Sequence, residues 1–345
     1  MNGCTLTCSA ILVAALASAS PAGAQEVVPE DLGHDKVLGT TEKEQQRADG
    51  WAKKLSVGAT GSYNHNSNVV GAVDGGTTQL GLIVDGHAHL KHGQHLWENV
   101  LSIKETQTRT PQLDLFIKSA DEARFASTWM YRLKAPPWLG PYVRGMATTQ
   151  LLLGSEVRTE DVNIQRIDVD GQVIADKQVL SGTRYHLTKS FEPTVVKESA
   201  GVFANPIDEE TLTLKAKAGA GFQHVFVRDG FTIADNKDTV DVIEYQQLQA
   251  STQGGAELEA EANGKLTEST TWSARAAFFY PLYTSVDTEL EGLDVMSTEL
   301  GAKVSVRLAK WLSLDYVFSA KRLPLVLDEW QVQNGVLLTA GFDLI

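Results

Sequence analysis

The chain has 345 residues and a formal net charge of −13 at pH 7. This acidic balance argues against a nucleic-acid partner, because a phosphate backbone requires a basic protein surface. Beyond residue 24, no stretch reaches the roughly eighteen consecutive apolar residues that a transmembrane helix requires, so membrane-spanning helices are excluded.

Residues 1–24 have the features of a secretory signal peptide. An apolar stretch from Ser9 to Ala17 precedes Ala22-Gly23-Ala24, which matches an A-x-A cleavage site, although the segment lacks the usual basic start. The two cysteines, Cys4 and Cys8, both lie inside this segment. We therefore expect an exported protein whose mature chain has no disulfide and no zinc-thiolate site.

The rest of the chain alternates between apolar and polar residues. In the segment Glu299–Ala309, Leu300 and Val304 share one face with other apolar residues, while Lys303 and Arg307 share the opposite face. Only a β-strand sorts residues with this period of two.

Twelve such segments follow residues 25–50, a charged stretch without periodicity that is interpreted as a periplasmic segment. The predicted strands are Trp51–Asn66, Thr77–Lys91, His95–Arg109, Asp121–Lys134, Tyr142–Leu153, Pro193–Ala204, Thr211–Arg228, Val242–Leu266, Thr271–Tyr283, Asp294–Leu308, Leu312–Lys321 and Val332–Ile345. The pattern predicts an all-β fold, a single up-and-down antiparallel transmembrane β-barrel of about 12 strands over residues 51–345.

The connections between these strands alternate between short and long, which orients the barrel. Short turns and both termini belong on the periplasmic side of such barrels, and long loops belong outside. The predicted short connections are His92–Gln94, Ala135–Gly140, Asn205–Asp208, Thr267–Thr270 and Ala309–Trp311.

The longest predicted loop, Gly154–Glu192, contains a hairpin signal of its own. Asp170-Gly171 separates two alternating runs within Arg166–Ala175, which is typical of a two-residue β-turn. We expect this loop to project outward or to fold over the mouth of the barrel.

A lipocalin-like soluble barrel has its apolar residues inside. Twelve strands enclose too wide an interior to be filled with hydrocarbon in this way, so the apolar residues of the predicted strands are assigned to the lipid side. Predicted lipid-facing residues include Leu55, Val57, Leu80, Leu82, Leu214, Phe222, Trp272, Phe278, Leu314 and Tyr316. Predicted lumen-facing residues include Ser56, Thr60, Asp85, Gln223, Ser273, Ser313 and Asp315.

Charges of both signs lie on the polar faces of neighbouring strands. They either pair across the interior and plug it, or line an aqueous path whose selectivity they set, and the sequence leaves both interpretations open. The predicted lumen-lining charges are Lys215, Lys217, Glu257, Glu259, Arg275, Glu299, Lys303 and Arg307.

The C-terminal third carries a resemblance to a known class of proteins. The run from Asp294 to Tyr316, followed by a charged loop and the run from Gln333 to Phe342, resembles the closing strands of uncharacterised bacterial outer-membrane barrels, some of them described as salt-induced outer-membrane proteins. The resemblance implies a Gram-negative outer-membrane location, with membrane lipid and the barrel-assembly machinery as partners. The chain departs from such barrels at its end, where the last aromatic residue, Phe342, is followed by three more residues.

Two constellations offer alternatives to a passive barrel. Asn64-His65-Asn66-Ser67-Asn68 resembles the His-x-Ser-Asn signature of outer-membrane phospholipases and lipid A deacylases, in which a serine is activated by a histidine. Val69 stands where the phospholipases have glycine. A polar loop entrance explains the same residues, so His65 and Ser67 are a secondary hypothesis of a lipid hydrolase.

The second constellation is a possible metal site. Asp85, His87 and His89 alternate along one predicted strand and share its lumen face. Imidazole and carboxylate groups bind zinc or copper, yet histidine is also an ordinary residue on a polar face. The function favoured by the sequence as a whole is a passive narrow channel or a surface scaffold, not an enzyme, with no cofactor.

Overall fold

A computed structural model of the protein describes residues 49–66, 75–209, 211–234, 239, 242–286, 288, 290–324 and 327–343. The predicted signal peptide, residues 1–24, and the predicted periplasmic segment up to residue 48 lie outside these residues, as does Ser67.

The described residues form eighteen strands. These are β1 (Gly50–Asn66), β2 (Gly75–His92), β3 (His95–Thr110), β4 (Leu113–Tyr131), β5 (Leu139–Thr149), β6 (Gly154–Val157), β7 (Val162–Ile167), β8 (Val173–Val179), β9 (Arg184–Thr188), β10 (Thr194–Asp208), β11 (Leu212–Phe226), β12 (Phe231–Ile233), β13 (Val242–Gln247), β14 (Ser251–Thr267), β15 (Thr270–Thr284), β16 (Ser297–Ala309), β17 (Leu312–Leu323) and β18 (Leu327–Asp343). A short 3-10 helix, Gly292–Val295, precedes β16.

Twelve of these strands close into one antiparallel barrel. Their order around the barrel is β1-β18-β17-β16-β15-β14-β11-β10-β5-β4-β3-β2. The closing ladder joins β1 to β18, from the pair Ser56 and Asp343 to the pair Gly61 and Leu338. Closure removes every unpaired strand edge from the barrel, and the predicted fold class and strand number are confirmed.

Two of the predicted boundaries are wrong. The predicted strand Val242–Leu266 is two strands, because β13 leaves the barrel and pairs with β7 whereas β14 forms the barrel wall. The predicted strand Asp121–Lys134 begins earlier, at Leu113, since β3 and β4 meet in the tight turn Pro111-Gln112 instead of a long loop.

Five short connections lie at one end of the barrel, together with the first residue of β1 and the last of β18, whereas the turn at residues 111–112 lies at the other end. The end with the five connections is called the short-turn end, and the other is the long-loop end. The five connections at the short-turn end are residues 93–94, 132–138, the link between Asp208 and Leu212, residues 268–269 and residues 310–311.

The two faces of the barrel wall differ in polarity in the way the alternation predicts. Outward-facing Leu82 and Leu258 are each 50% exposed, whereas inward-facing Ser313 and Asp315 are 1% exposed. Large apolar side chains on the outside and polar side chains inside are suited to a barrel that spans lipid. No helix among the described residues is long and apolar enough to cross a membrane.

Aromatic side chains surround the short-turn end of the outer surface. Trp51 and Trp97 have ring centroids 5.9 Å apart, and Trp129 lies directly across from Trp97 in the β3–β4 ladder. Trp311 stacks on Phe342 at 6.5 Å. Amphipathic rings of this kind occupy the headgroup level of a membrane, so they mark one boundary of the apolar band.

At the long-loop end, two connections fold together into a second structure, the cap, which consists of β6–β9 and β12–β13. One sheet has the order β12-β13-β7-β8, and β6 pairs with β9. The predicted hairpin is confirmed as β7 and β8, with Gly171 at a φ of +79° in its turn. Glycine suits that left-handed conformation because it has no Cβ.

The cap has its own apolar core. Ile164, Val179, Phe231 and Tyr245 are buried against each other, and the Arg166 guanidinium lies 4.4 Å from the centre of the Phe231 ring. β13 pairs with β7 in parallel. Because β7 belongs to the connection that follows β5 and β13 to the one that follows β11, this pairing joins the two connections. The cap is therefore a single packed structure built from two separate loops.

Candidate functional site

The barrel lumen contains a network of ion pairs that crosses the interior. Arg144 on β5 contacts Glu257 and Glu259 on β14, at 3.1 and 2.9 Å. Because β10 and β11 stand between β5 and β14 in the barrel wall, these pairs bridge the lumen. They are not contacts between neighbouring strands.

Glu259 is the centre of this network. Besides Arg144, its carboxylate contacts the Lys217 ammonium at 3.1 Å and the Arg275 guanidinium at 2.8 Å. Only 7% of Glu259 is exposed. A carboxylate so deeply buried is stable as an ion only with such compensation, and three cations provide it here.

Glu299 holds a second group of cations. Lys197 on β10 approaches it at 3.4 Å, Arg275 at 3.7 Å and Lys321 at 3.9 Å. The Lys197–Glu299 pair spans a longer chord, since β11, β14 and β15 separate its two strands. We call the eight residues of these two groups the constriction: Arg144, Lys197, Lys217, Glu257, Glu259, Arg275, Glu299 and Lys321.

A second polar layer occupies the lumen beside β17. The buried Asp315 carboxylate accepts hydrogen bonds from Ser305 and from Thr339, the latter at 2.7 Å, and lies 3.6 Å from the Lys303 ammonium. Its partners come from β16 and β18, the two strands on either side of its own strand β17. Asp315 therefore fastens this part of the wall and does not reach across the interior.

An apolar group lies on the inner face at the short-turn end. Leu96, Met130, Tyr142 and Phe203 are buried together, on the adjacent strands β3, β4, β5 and β10. The Tyr142 hydroxyl donates a hydrogen bond to Glu257, so this group is continuous with the constriction.

Space inside the molecule is distributed unevenly. Between the constriction and the cap lies an open cavity of about 420 Å³, called the vestibule. Among the constriction side chains themselves the cavity is only about 40 Å³. Lys197, Gln223 and Glu299 line both cavities, so the vestibule leads directly to the constriction.

The sequence-predicted lumen charges are only partly gathered. Lys217, Glu257, Glu259, Arg275 and Glu299 all belong to the constriction. The other three lie apart from it.

Lys303 pairs with Asp315 in the second layer, and Lys215 lies opposite Glu261 in the β11–β14 ladder. Arg307 is exposed near the short-turn end, where its guanidinium donates to the Glu268 carbonyl at 3.0 Å.

The predicted metal ligands do not converge. Asp85 accepts a hydrogen bond from Ser102 at 2.8 Å, and His89 lies 3.8 Å from Glu98. The His87 and His89 rings face each other at 5.9 Å. Within the described ranges, no three histidine, cysteine or acidic side chains are arranged to hold a metal ion.

The two residues of the hydrolase hypothesis, His65 and Ser67, lie at the edge of the described part of the chain. The His65 backbone belongs to β1, but its side chain is not described, and Ser67 lies outside the described residues. The structure therefore supplies no geometry for this pair.

Three charged members of the constriction were not predicted: Arg144, Lys197 and Lys321. One signal in the sequence could have identified Arg144, because it alternates with Tyr142 and Met146 along a predicted strand. In the structure these three residues share one face of β5, and all are buried or nearly so. Nothing in the sequence says which inward charges meet across a barrel, because that depends on the stagger of the strands.

Similarity to solved structures is limited to the general architecture. The translocator domain of the autotransporter NalP from Neisseria meningitidis has 8% identity, a TM-score of 0.37 and coverage of 86% of this chain and 90% of that one. An outer-membrane channel from Pseudomonas putida F1 has 8% identity, a TM-score of 0.38 and coverage of 88% and 98%. The β-domain of the Bordetella autotransporter BrkA has 12% identity, a TM-score of 0.33 and coverage of 85% and 98%.

No protein-family model matches the chain, and no curated protein matches its sequence. The similar structures include translocator domains as well as a channel, and likeness at this level assigns no activity.

Proposed function

We propose that the protein is an outer-membrane β-barrel that acts as a passive, narrow channel for small hydrophilic solutes. The observation that carries the proposal is the continuity of the vestibule with the constriction through Lys197, Gln223 and Glu299. A scaffold with a sealed interior has no need for an open polar cavity that ends on a ring of charges. The predicted signal peptide, the apolar outer face and the aromatic belt support the outer-membrane location. Membrane lipid and the barrel-assembly machinery are the partners that this location implies.

The constriction is narrow because its charges are paired across it. Small hydrophilic solutes can pass the constriction by exchanging hydrogen bonds with its paired carboxylates and guanidinium groups. Rings of charged side chains also determine which ions a channel prefers. The constriction holds five basic and three acidic side chains. We therefore expect a weak preference for anions over cations.

Planar-bilayer recording of the purified barrel tests the proposal. Discrete conductance steps with a reversal potential displaced toward the anion equilibrium are expected for the wild type. Arg144→Gln removes the cation that bridges the lumen to Glu257 and Glu259, so it should enlarge the steps and move the reversal potential toward cations.

Arg307→Gln is the matched control. It makes the same chemical change at an exposed residue outside the constriction, and we expect it to leave both quantities unchanged. A silent bilayer for all three proteins would replace the channel by the plugged scaffold. Equal conductance and selectivity in all three would remove the constriction from the path.

A further inference from the structure

The vestibule is lined in part by uncharged hydrogen-bonding groups. Five glutamine side chains contribute to it: Gln150, Gln223, Gln246, Gln247 and Gln249. Each amide offers both donor and acceptor atoms without a net charge. The amides therefore offer hydrogen bonds that suit a neutral polar ligand.

Two buried oxygen atoms at this level have no hydrogen-bond partner. Thr148 lines the vestibule, and its Oγ1 is buried and unpartnered. The Oε1 atom of Gln253 is also unpartnered. Gln253 is 3% exposed and is not itself a lining residue, but it lies directly opposite Gln223, which lines the vestibule. Buried polar atoms normally have partners, and a ligand hydroxyl would supply them.

The wall of the vestibule also carries five charged side chains, Asp121, Glu122, Lys197, Glu299 and Lys321, and an apolar part. Val195, Val225, Leu248 and Leu323 line it beside the amides. A surface that mixes amide groups with short aliphatic side chains matches a molecule with hydroxyls at its edge and C–H groups on its faces. A volume of about 420 Å³ is in the range of small-molecule pockets and suits one or two sugar rings.

We infer that the vestibule is a binding site for an uncharged polyhydroxylated solute of the size of a mono- or disaccharide. The inference deepens the proposed function and rests on it, since it names the class of solute that the channel admits. The charges on the vestibule floor, Lys197, Lys321 and Glu299, are paired with one another and so present donors and acceptors to the same hydroxyls as the solute moves on.

Isothermal titration calorimetry on the detergent-solubilised barrel tests the site without requiring conductance. The probes are glucose and maltose as neutral sugars, gluconate as an anion and choline as a cation. We expect the wild type to bind a neutral sugar and neither ion. Thr148→Val should weaken that binding about fivefold, the factor for one neutral hydrogen bond of about 1 kcal/mol.

Thr213→Val is the matched control, because Thr213 is also buried on the β-barrel wall but lies at the short-turn end of β11. It should bind sugar as the wild type does. Gln253→Met is the second variant, which keeps the side-chain length and removes the unpartnered oxygen beside Gln223, and it should also weaken sugar binding.

The outcomes separate this inference from the channel proposal. Sugar binding with a silent bilayer would support the site and defeat the channel. Conductance without sugar binding would leave the channel and overturn the site. Binding of gluconate or choline instead of the sugars, or equal sugar affinity in Thr148→Val, Gln253→Met and Thr213→Val, would also overturn it.

Discussion

The barrel and the cap use the same two-residue alternation and bury opposite halves of it. In the barrel, Asp315 and Glu259 face inward while Leu258 faces outward. In the cap, Ile164 and Phe231 face inward, whereas the polar neighbour Asn163 is exposed. The period of two thus specifies a strand, and the surroundings decide which face is buried: lipid outside the barrel, water outside the cap.

The largest expected effect separates the two regions by their cores. Phe231→Ala removes a ring from the centre of the cap, and large-to-small changes of this kind cost about 3–5 kcal/mol. We expect the cap to become protease-sensitive while the barrel keeps its heat-modifiable gel migration. Phe125 lies on the outer face of the barrel and is 48% exposed, so Phe125→Ala is the control and should leave the cap protected from protease. Simultaneous loss of both structures would mean that the cap is not an independent unit.

A second experiment puts the same charge on two side chains of similar exposure. Leu258 is 50% exposed on the barrel and Ile174 is 53% exposed on the cap. Leu258→Lys should destabilise the barrel by about 2–4 kcal/mol, because a lysine on the lipid face loses its hydration. Ile174→Lys should change stability by no more than about 0.5 kcal/mol. Denaturant titration in lipid vesicles measures both, and equal effects would contradict the membrane assignment of the outer face.

The cap has an alkaline limit set by a buried tyrosine. Burial, followed by the nearby Glu156 carboxylate, raises the pKa of the Tyr245 hydroxyl, which donates a hydrogen bond to that carboxylate. The stabilisation is therefore complete below the ordinary tyrosine pKa of about 10 and is lost as pH rises through the raised value.

Tyr245→Phe should abolish this alkaline loss. It should also reduce cap stability by about 1.5–3 kcal/mol, as expected for a hydrogen bond to a charged group. Protease resistance of the cap as a function of pH measures both effects. A wild-type cap that is equally resistant on both sides of the alkaline transition would refute the assignment.

The smallest effect concerns an exposed ion pair between Lys189 and Asp229, 2.6 Å apart. The hydrogen bond and charge of Lys189 lower the pKa of Asp229, and Asp229 in turn raises the pKa of Lys189. The pair therefore stabilises the cap at neutral pH, and its contribution is lost as pH falls through the lowered pKa of Asp229 or rises through the raised pKa of Lys189. Asp229→Asn should flatten this dependence slightly, measured by the thermal midpoint of cap proteolysis at low salt, and a large shift would show that the pair is not merely a surface contact.

The sequence predicts the barrel well because alternation is a local property. Each ladder strand carries its own inward and outward set, so twelve strands and their faces follow without knowledge of their neighbours. The boundary at Val242 is missed because β13 has the same alternation as a barrel strand. Only its parallel pairing with β7, about 80 residues away along the chain, removes it from the wall.

The candidate site is predicted less completely, for a geometric reason. Glu257, Glu259 and Arg275 lie on neighbouring strands, and their proximity follows from the order of the chain. Arg144 and Lys197 reach the same network from across the lumen, and the residues that meet there depend on barrel stagger, which is a property of the closed ring.

The parallel ladder between β7 and β13 has a consequence for the timing of assembly. Between these two strands the chain crosses the membrane as β10 and returns as β11. The ladder cannot form until that return crossing has delivered residues 242–247 to the far side. A conformational antibody against the paired β7–β13 surface would therefore recognise only chains that have completed this stage of insertion. Its binding over time would measure how fast the barrel reaches that stage.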